Sequence, residues 1–229
     1  MFQTDPFSLI VLLIGLSLLP FVAMVATSYL KIVVVMSLIR NALGIQSIPP
    51  NMVINALAMI LTFYIMAPIC SDSWNIIKTE RAAMEEREKA GEVAKPGQPF
   101  YETDIAEKAV EPFKNWLIRQ TGDRERAFFV STAERLWAKE GQSAAVVNPD
   151  SLYILIPSFC VSELTKAFQI GFLVYLPFIA IDIIVSNILL AMGMMMVSPV
   201  TISLPFKLLL FVMVDGWTLL IQGLVRSYV

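Results

Sequence analysis

The sequence predicts an all-α chain of the membrane type, and three observations carry that prediction. First, 57% of its 229 residues are hydrophobic and only 16% are charged, with a mean hydropathy of +0.70. An ordinary soluble domain is about half apolar and about a quarter charged. Second, the charges are segregated. Residues 1–71 carry only Asp5, Lys31 and Arg40, and residues 151–229 carry only Glu163, Lys166, Asp182, Lys207, Asp215 and Arg226; every other charge lies in 72–150. Third, the uncharged runs are long enough to span, because a helix rising 1.5 Å per residue needs about 20 residues to cross a hydrocarbon core. Three regions follow: apolar helical segments over 1–71, a polar helical insert over 72–150, and apolar helical hairpins with broken helices over 151–229.

Taken in order, Pro6 to Leu30 is uncharged and interrupted by Gly15 and Pro20. No basic residue precedes Lys31, so no secretory signal is read and the segment is expected to stay in the mature protein. Lys31 and Arg40 flank the apolar run 32–36. Leu43 to Pro50 reads as a turn in which Gly44 can cap a helix and Pro49-Pro50 favours an extended entry to the next. Asn51 to Cys70 is a second uncharged segment.

In the insert, Lys78 to Lys95 is expected to be a solvated helix running into a loop at Lys95-Pro96-Gly97-Gln98-Pro99. Val110, Phe113, Trp116 and Leu117, and then Phe129, Ala133, Leu136 and Trp137, recur at helical spacing. They predict two short amphipathic helices joined near Thr121-Gly122-Asp123, each leaning most simply on the other.

After Pro149, Ser151 to Ala191 is too long for one span and carries Pro157 and Pro177, which predicts a break. Thr201 to Val225 closes the chain. Hydropathy alone gives four spans. With Lys31 and Arg40 in a short first loop, the positive-inside rule puts that loop in the cytoplasm and 72–150 on the periplasmic side.

Between the last two apolar segments lies Met192-Gly193-Met194-Met195-Met196-Val197-Ser198-Pro199, with four of the twelve methionines. Gly193 and Pro199 mark a hinge or turn, since proline cannot continue a helix. Flexible, polarizable thioethers make a compliant apolar surface, although by composition alone core filling is the better reading.

Glu163, Lys166, Asp182, Lys207 and Asp215 sit where a charge costs about 2.5–3.5 kcal/mol on insertion scales. Glu163 and Lys166, three apart, can pair on one helix face. Asp182 and Lys207 have no local partner, so they must meet through the fold or through a neighbouring copy. Static pairing is favoured over an ion relay, because acids and bases occur in similar number.

Other classes fall away. There is no histidine, no nucleophile beside a base, no metal-ligand cluster and no nucleotide site, so no enzyme and no cofactor are expected. The net charge of −2 leaves no nucleic-acid footprint. Cys70 and Cys160 read as small buried hydrophobes with no basis for a disulfide.

The motifs carry a resemblance. Residues 37–44 (SLIRNALG), Pro49-Pro50-Asn51 and 61–68 (LTFYIMAP) resemble the N-terminal signature of the FliP/SctR family of type III secretion export-apparatus proteins. Residues 163–172 (ELTKAFQIGF), Leu176-Pro177-Phe178, Ile181-Asp182, Met192 to Met196, 202–207 (ISLPFK) and 214–217 (VDGW) match in order and spacing. The likeness covers 6–71 and 151–229. The missing signal peptide resembles the virulence-associated injectisome branch.

The resemblance implies five copies assembling with SctS-like and SctT-like subunits into a helical cone of hairpins, its entrance wrapped by an SctU-like protein. The cone would be a channel for unfolded protein in the bacterial inner membrane, raised toward the periplasm and powered by partners. Met194, Met195 and Met196 match the family's methionine gasket. Glu163 and Lys207 match positions paired between subunits, and Arg40 and Asp182 match further polar contacts. The alternative is a proton-coupled secondary transporter using Asp182 or Glu163.

Overall fold

The computed structural model describes residues 6–45, 48–89, 99–137, 147–194 and 196–228. Among them are eight helices and no strand: α1 (Pro6–Val25), α2 (Tyr29–Ala42), α3 (Asn51–Lys89), α4 (Pro99–Gln120), α5 (Asp123–Trp137), α6 (Leu152–Ala191), α7 (Pro199–Met213) and α8 (Gly216–Arg226). The chain divides into two units, one of Met1–Thr62 with Glu163–Val229 and one of Phe63–Ser162.

In the first unit, α1 runs through both Gly15 and Pro20 and bends by 53° into α2. At the bend, the Thr27 hydroxyl donates to the Ala23 carbonyl at 2.5 Å and so competes with the helical ladder. Lys31 and Arg40 therefore lie on a helix and not in a loop. Lys31 is buried, which removes it from the charge count that the positive-inside inference needs. The inward stripe of α2 is Lys31, Ile32, Val35, Met36, Ile39 and Ala42, spaced for one helical face. Gly44 ends α2 in the left-handed region (φ +78°), donating to the Asn41 carbonyl. α2 and α6 approach closely at Leu38 and Gly171, where a Cβ on the glycine would collide with the leucine side chain.

The predicted break in Ser151–Ala191 does not occur. α6 is a single helix of 40 residues through Pro157 and Pro177. At 1.5 Å per residue it is about 60 Å long, roughly twice a hydrocarbon core. α3, at 39 residues, is similar. These two helices are long and apolar enough to span, and there are up to four spans if each bent pair, α1–α2 and α7–α8, counts as one.

In the second unit, α4 and α5 form as the spacing predicts, with the junction at Thr121-Gly122. What their apolar stripes lean on is α6, rather than simply each other. Trp116 packs on Phe159 at 5.2 Å between ring centroids. Ala133 clusters with Val147 and Ile154, flanked by Phe129 and Val130. The Gly122 N–H donates to the Ser162 hydroxyl at 3.1 Å. Cys160 is half-buried, but Cys70, expected inside, is exposed on α3. The solvated helix expected from Lys78 begins within α3; residues 95–98 of the expected loop lie outside the described residues.

Candidate functional site

The turn between α6 and α7 is built by its backbone. The Gly193 N–H donates to Leu190 and the Met194 N–H to Leu189, each at 3.0 Å, which is the paired bonding of a Schellman helix end. It requires a left-handed residue, and Gly193 supplies it at φ +73°. Pro199 then opens α7 in the first helical turn, where a missing N–H costs nothing. Among the described residues, a glycine thus ends α6 and a proline starts α7.

The side chains of Met192 and Met194 are exposed and that of Met196 is fully so. Met195 lies outside the described residues. None of the three described methionines lies in the core of its own chain.

The turn folds α7 back along α6 and brings together charges that sequence left apart. Lys207 Nζ reaches Asp182 Oδ2 at 2.6 Å and donates to the Ala42 carbonyl at 3.2 Å. The Ser203 hydroxyl donates to Asp182 Oδ1 at 2.5 Å. Asp182 is one-third exposed and Lys207 almost wholly buried. Of the two ways Asp182 and Lys207 could be satisfied, the fold itself provides one.

A second cluster lies where α2, α6 and the residues after α8 meet. Lys31 Nζ is 3.2 Å from Glu163 Oε2, with the two side chains 1% and 0% exposed. Lys166 contacts the other carboxylate oxygen at 3.1 Å, the local pairing that the spacing predicts. The Tyr228 hydroxyl donates to Glu163, and its ring lies over the Lys31 ammonium at 3.6 Å. Such a set is what two buried charges need, since Coulomb attraction alone rarely repays desolvation.

Glu163 and Lys207, expected to find partners on neighbouring copies, each have partners in their own chain, and within the chain they do not pair with each other. Arg40 fastens the turn after α2, donating to Asn51 Oδ1 at 2.5 Å and to the Pro49 carbonyl at 3.2 Å. Sequence reading missed three contributors. Lys31 looked like a topology marker, Ser203 stood only within the 202–207 motif with no role of its own, and Tyr228 gave no signal at all.

A model of the FliP family matches residues 12–224. The Yop proteins translocation protein R of Yersinia pestis is 49% identical over 224 residues, covering 98% of this chain and 97% of that protein. The chain belongs to the FliP family. Virulence protein YscR of Salmonella typhimurium is 46% identical over 224 residues, with 98% and 97% covered. The hypersensitivity response secretion protein HrcR of Ralstonia nicotianae is 45% identical over 221 residues, with 96% of each covered. These relatives place this FliP-family chain in the virulence-associated, SctR branch of type III secretion proteins. The match runs through the polar insert as well as the two apolar regions that carried the resemblance.

Proposed function

We propose that this chain is a pore-forming subunit of a type III secretion export gate. In this reading, several copies, five by family resemblance, assemble with SctS-like, SctT-like and SctU-like subunits. Together they form the channel through which unfolded protein crosses the bacterial inner membrane. The assembled complex is raised toward the periplasm, the side on which the polar insert 72–150 lies. Met194, Met195 and Met196 from the copies meet at the channel axis and exclude water when no cargo is present, a hydrophobic constriction. With cargo present they part around an extended chain, and their weak, adaptable contacts hold no particular side chain.

The observation that carries this reading is the methionine turn. Two helix-end bonds fix its start and a proline its end, while its described methionines are exposed. A rigid stalk with compliant tips suits a seal. The outer side of the α6–α7 hairpin supports assembly. Ile184, Ile188, Phe206 and Leu209 are exposed there beside an apolar groove of about 320 Å³, and an exposed patch of this kind marks an interaction surface or lipid contact. Asp182 and Arg40 remain reachable for polar contacts between copies. Glu163 and Lys207 are the further polar contacts between copies that the family resemblance implies, beside the partners each has in its own chain.

The test is to stall a secreted protein in transit and crosslink it to single cysteines placed at 194, 195 and 196. Crosslinks at these positions, absent at exposed α3 positions such as 64, support a pore. Cargo that crosslinks equally at both, or at neither, removes the methionines from the translocation path.

A further inference from the structure

We propose that α8 is a hinged strap whose closure, completed by Tyr228, seals the Lys31–Glu163 pair inside the chain. Three independent features converge on this.

The first is the joint. α7 and α8 meet at 61°, and the bend is made at Asp215, which sits in the left-handed region at φ +52°. Among the described residues it is the one non-glycine residue with positive φ. An aspartate can adopt that conformation, but at a cost that a side chain pays only when the surrounding fold demands it. The next residue, Gly216, packs so near the Phe211 ring that a Cβ there would collide with it. Two adjacent residues thus fix where the chain turns.

The second is how little holds α8 down. Near the joint Trp217 packs edge-on against the Phe211 ring at 5.4 Å; beyond that turn the buried side chains are Leu220 and Leu224, and four residues further on comes Tyr228, all at i, i+4 spacing. Leu219 on the other side is exposed, as are Gln222 and Arg226. An element with few buried contacts opens locally, at less cost than the whole fold.

The third is what lies beneath its far end. Tyr228 donates to Glu163, covers the Lys31 ammonium with its ring, and brings its hydroxyl to 3.3 Å from the Ser28 carbonyl. Lys31, Glu163 and Ser28 are all buried. The side chain at the far end of the strap is therefore the cover of the pair. Closed, the strap keeps a carboxylate and an ammonium away from apolar surroundings, where charge is expensive. Open, it uncovers both on the faces of α2 and α6 that Tyr228 covers when the strap is closed. Closure decides whether the pair is internal or available to another subunit.

Hydrogen exchange on the full chain in lipid nanodiscs, read by mass spectrometry, tests this without any assembled pore. Glu163→Gln removes the acceptor charge from α6. The expected result is at least tenfold faster exchange at 216–228, with α7 over 199–210 unchanged. Tyr228→Ala is expected to speed exchange at 28–32 as well as at 216–228. Tyr228→Phe, which keeps the ring over Lys31, gives a smaller effect at the same places. Exchange at 216–228 within twofold of the parent in Glu163→Gln overturns the proposal. So does a Tyr228→Ala effect confined to 225–228. Equal loss of protection through α6 and α7 in both Tyr228 variants also overturns it, because α8 would then open only with the entire chain.

Discussion

Lys31 and Glu163, 132 positions apart in sequence, meet at 3.2 Å with both side chains buried. Removing one partner leaves the other as an uncompensated buried charge, which costs about 3–5 kcal/mol, whereas replacing both by apolar groups of similar volume is close to neutral. Glu163→Leu is therefore expected to destabilise the chain by about that amount, and Lys31→Met/Glu163→Leu to recover most of it. Thermal unfolding of the purified chain in detergent measures both. A double variant no more stable than Glu163→Leu would show that Lys31 is not the partner that matters.

The Asp182–Lys207 pair is expected to tolerate more. Asp182 keeps one-third of its surface exposed and also accepts from Ser203. Lys207→Met is expected to cost about 1–3 kcal/mol, in the range of a lost charged hydrogen bond and below that of a fully buried pair. Ser203→Ala should cost less again. The same unfolding measurement ranks the three substitutions, and the order Glu163→Leu, Lys207→Met, Ser203→Ala is the expected one.

Ser28 gives a prediction of opposite sign. Its hydroxyl is buried without a hydrogen-bond partner among the described residues, and as the residue before α2 it makes no capping bond. Ser28→Ala removes an unsatisfied polar group and is expected to raise stability by about 1 kcal/mol, at the low end of the penalty for such a group. A loss of stability would mean that the hydroxyl is satisfied in the membrane.

Gly193 should be replaceable only by residues that accept positive φ. Nothing lies within 4 Å of a Cβ placed there, so the cost is purely backbone conformation. Gly193→Ala is expected to cost about 1 kcal/mol and Gly193→Val about 2, while Gly193→Asn stays nearest the parent. Secretion assays at equal chain abundance should follow the same order, because the turn sets where the methionines project.

What could be read from the sequence tracks the range of the interaction. The α6–α7 turn was legible because Gly193 and Pro199 encode it locally, and once the chain folds back there, residues 182 and 207 fall about equally far from the turn. The Glu163–Lys166 contact was legible for the same reason. Lys31–Glu163 was not, because nothing local marks a partner on a distant helix. The length of α6 was misread. Pro157 and Pro177 look like breaks, yet in a long apolar helix the lost bonds are few against those kept on either side. Lys31 was misplaced because an isolated lysine after an uncharged run is also what a loop would show.

The central claim is that Met194 to Met196 seal a channel made by several copies. The most direct measurement is small-ion leakage across membranes of cells carrying the assembled apparatus. Replacing all three by alanine is expected to make the membrane leak while the complex still assembles, since the turn's bonds come from backbone groups, the 194 N–H included, and from Gly193, all of which the replacement keeps. An assembled complex that carries the three alanines and holds ions as tightly as the parent would contradict the account.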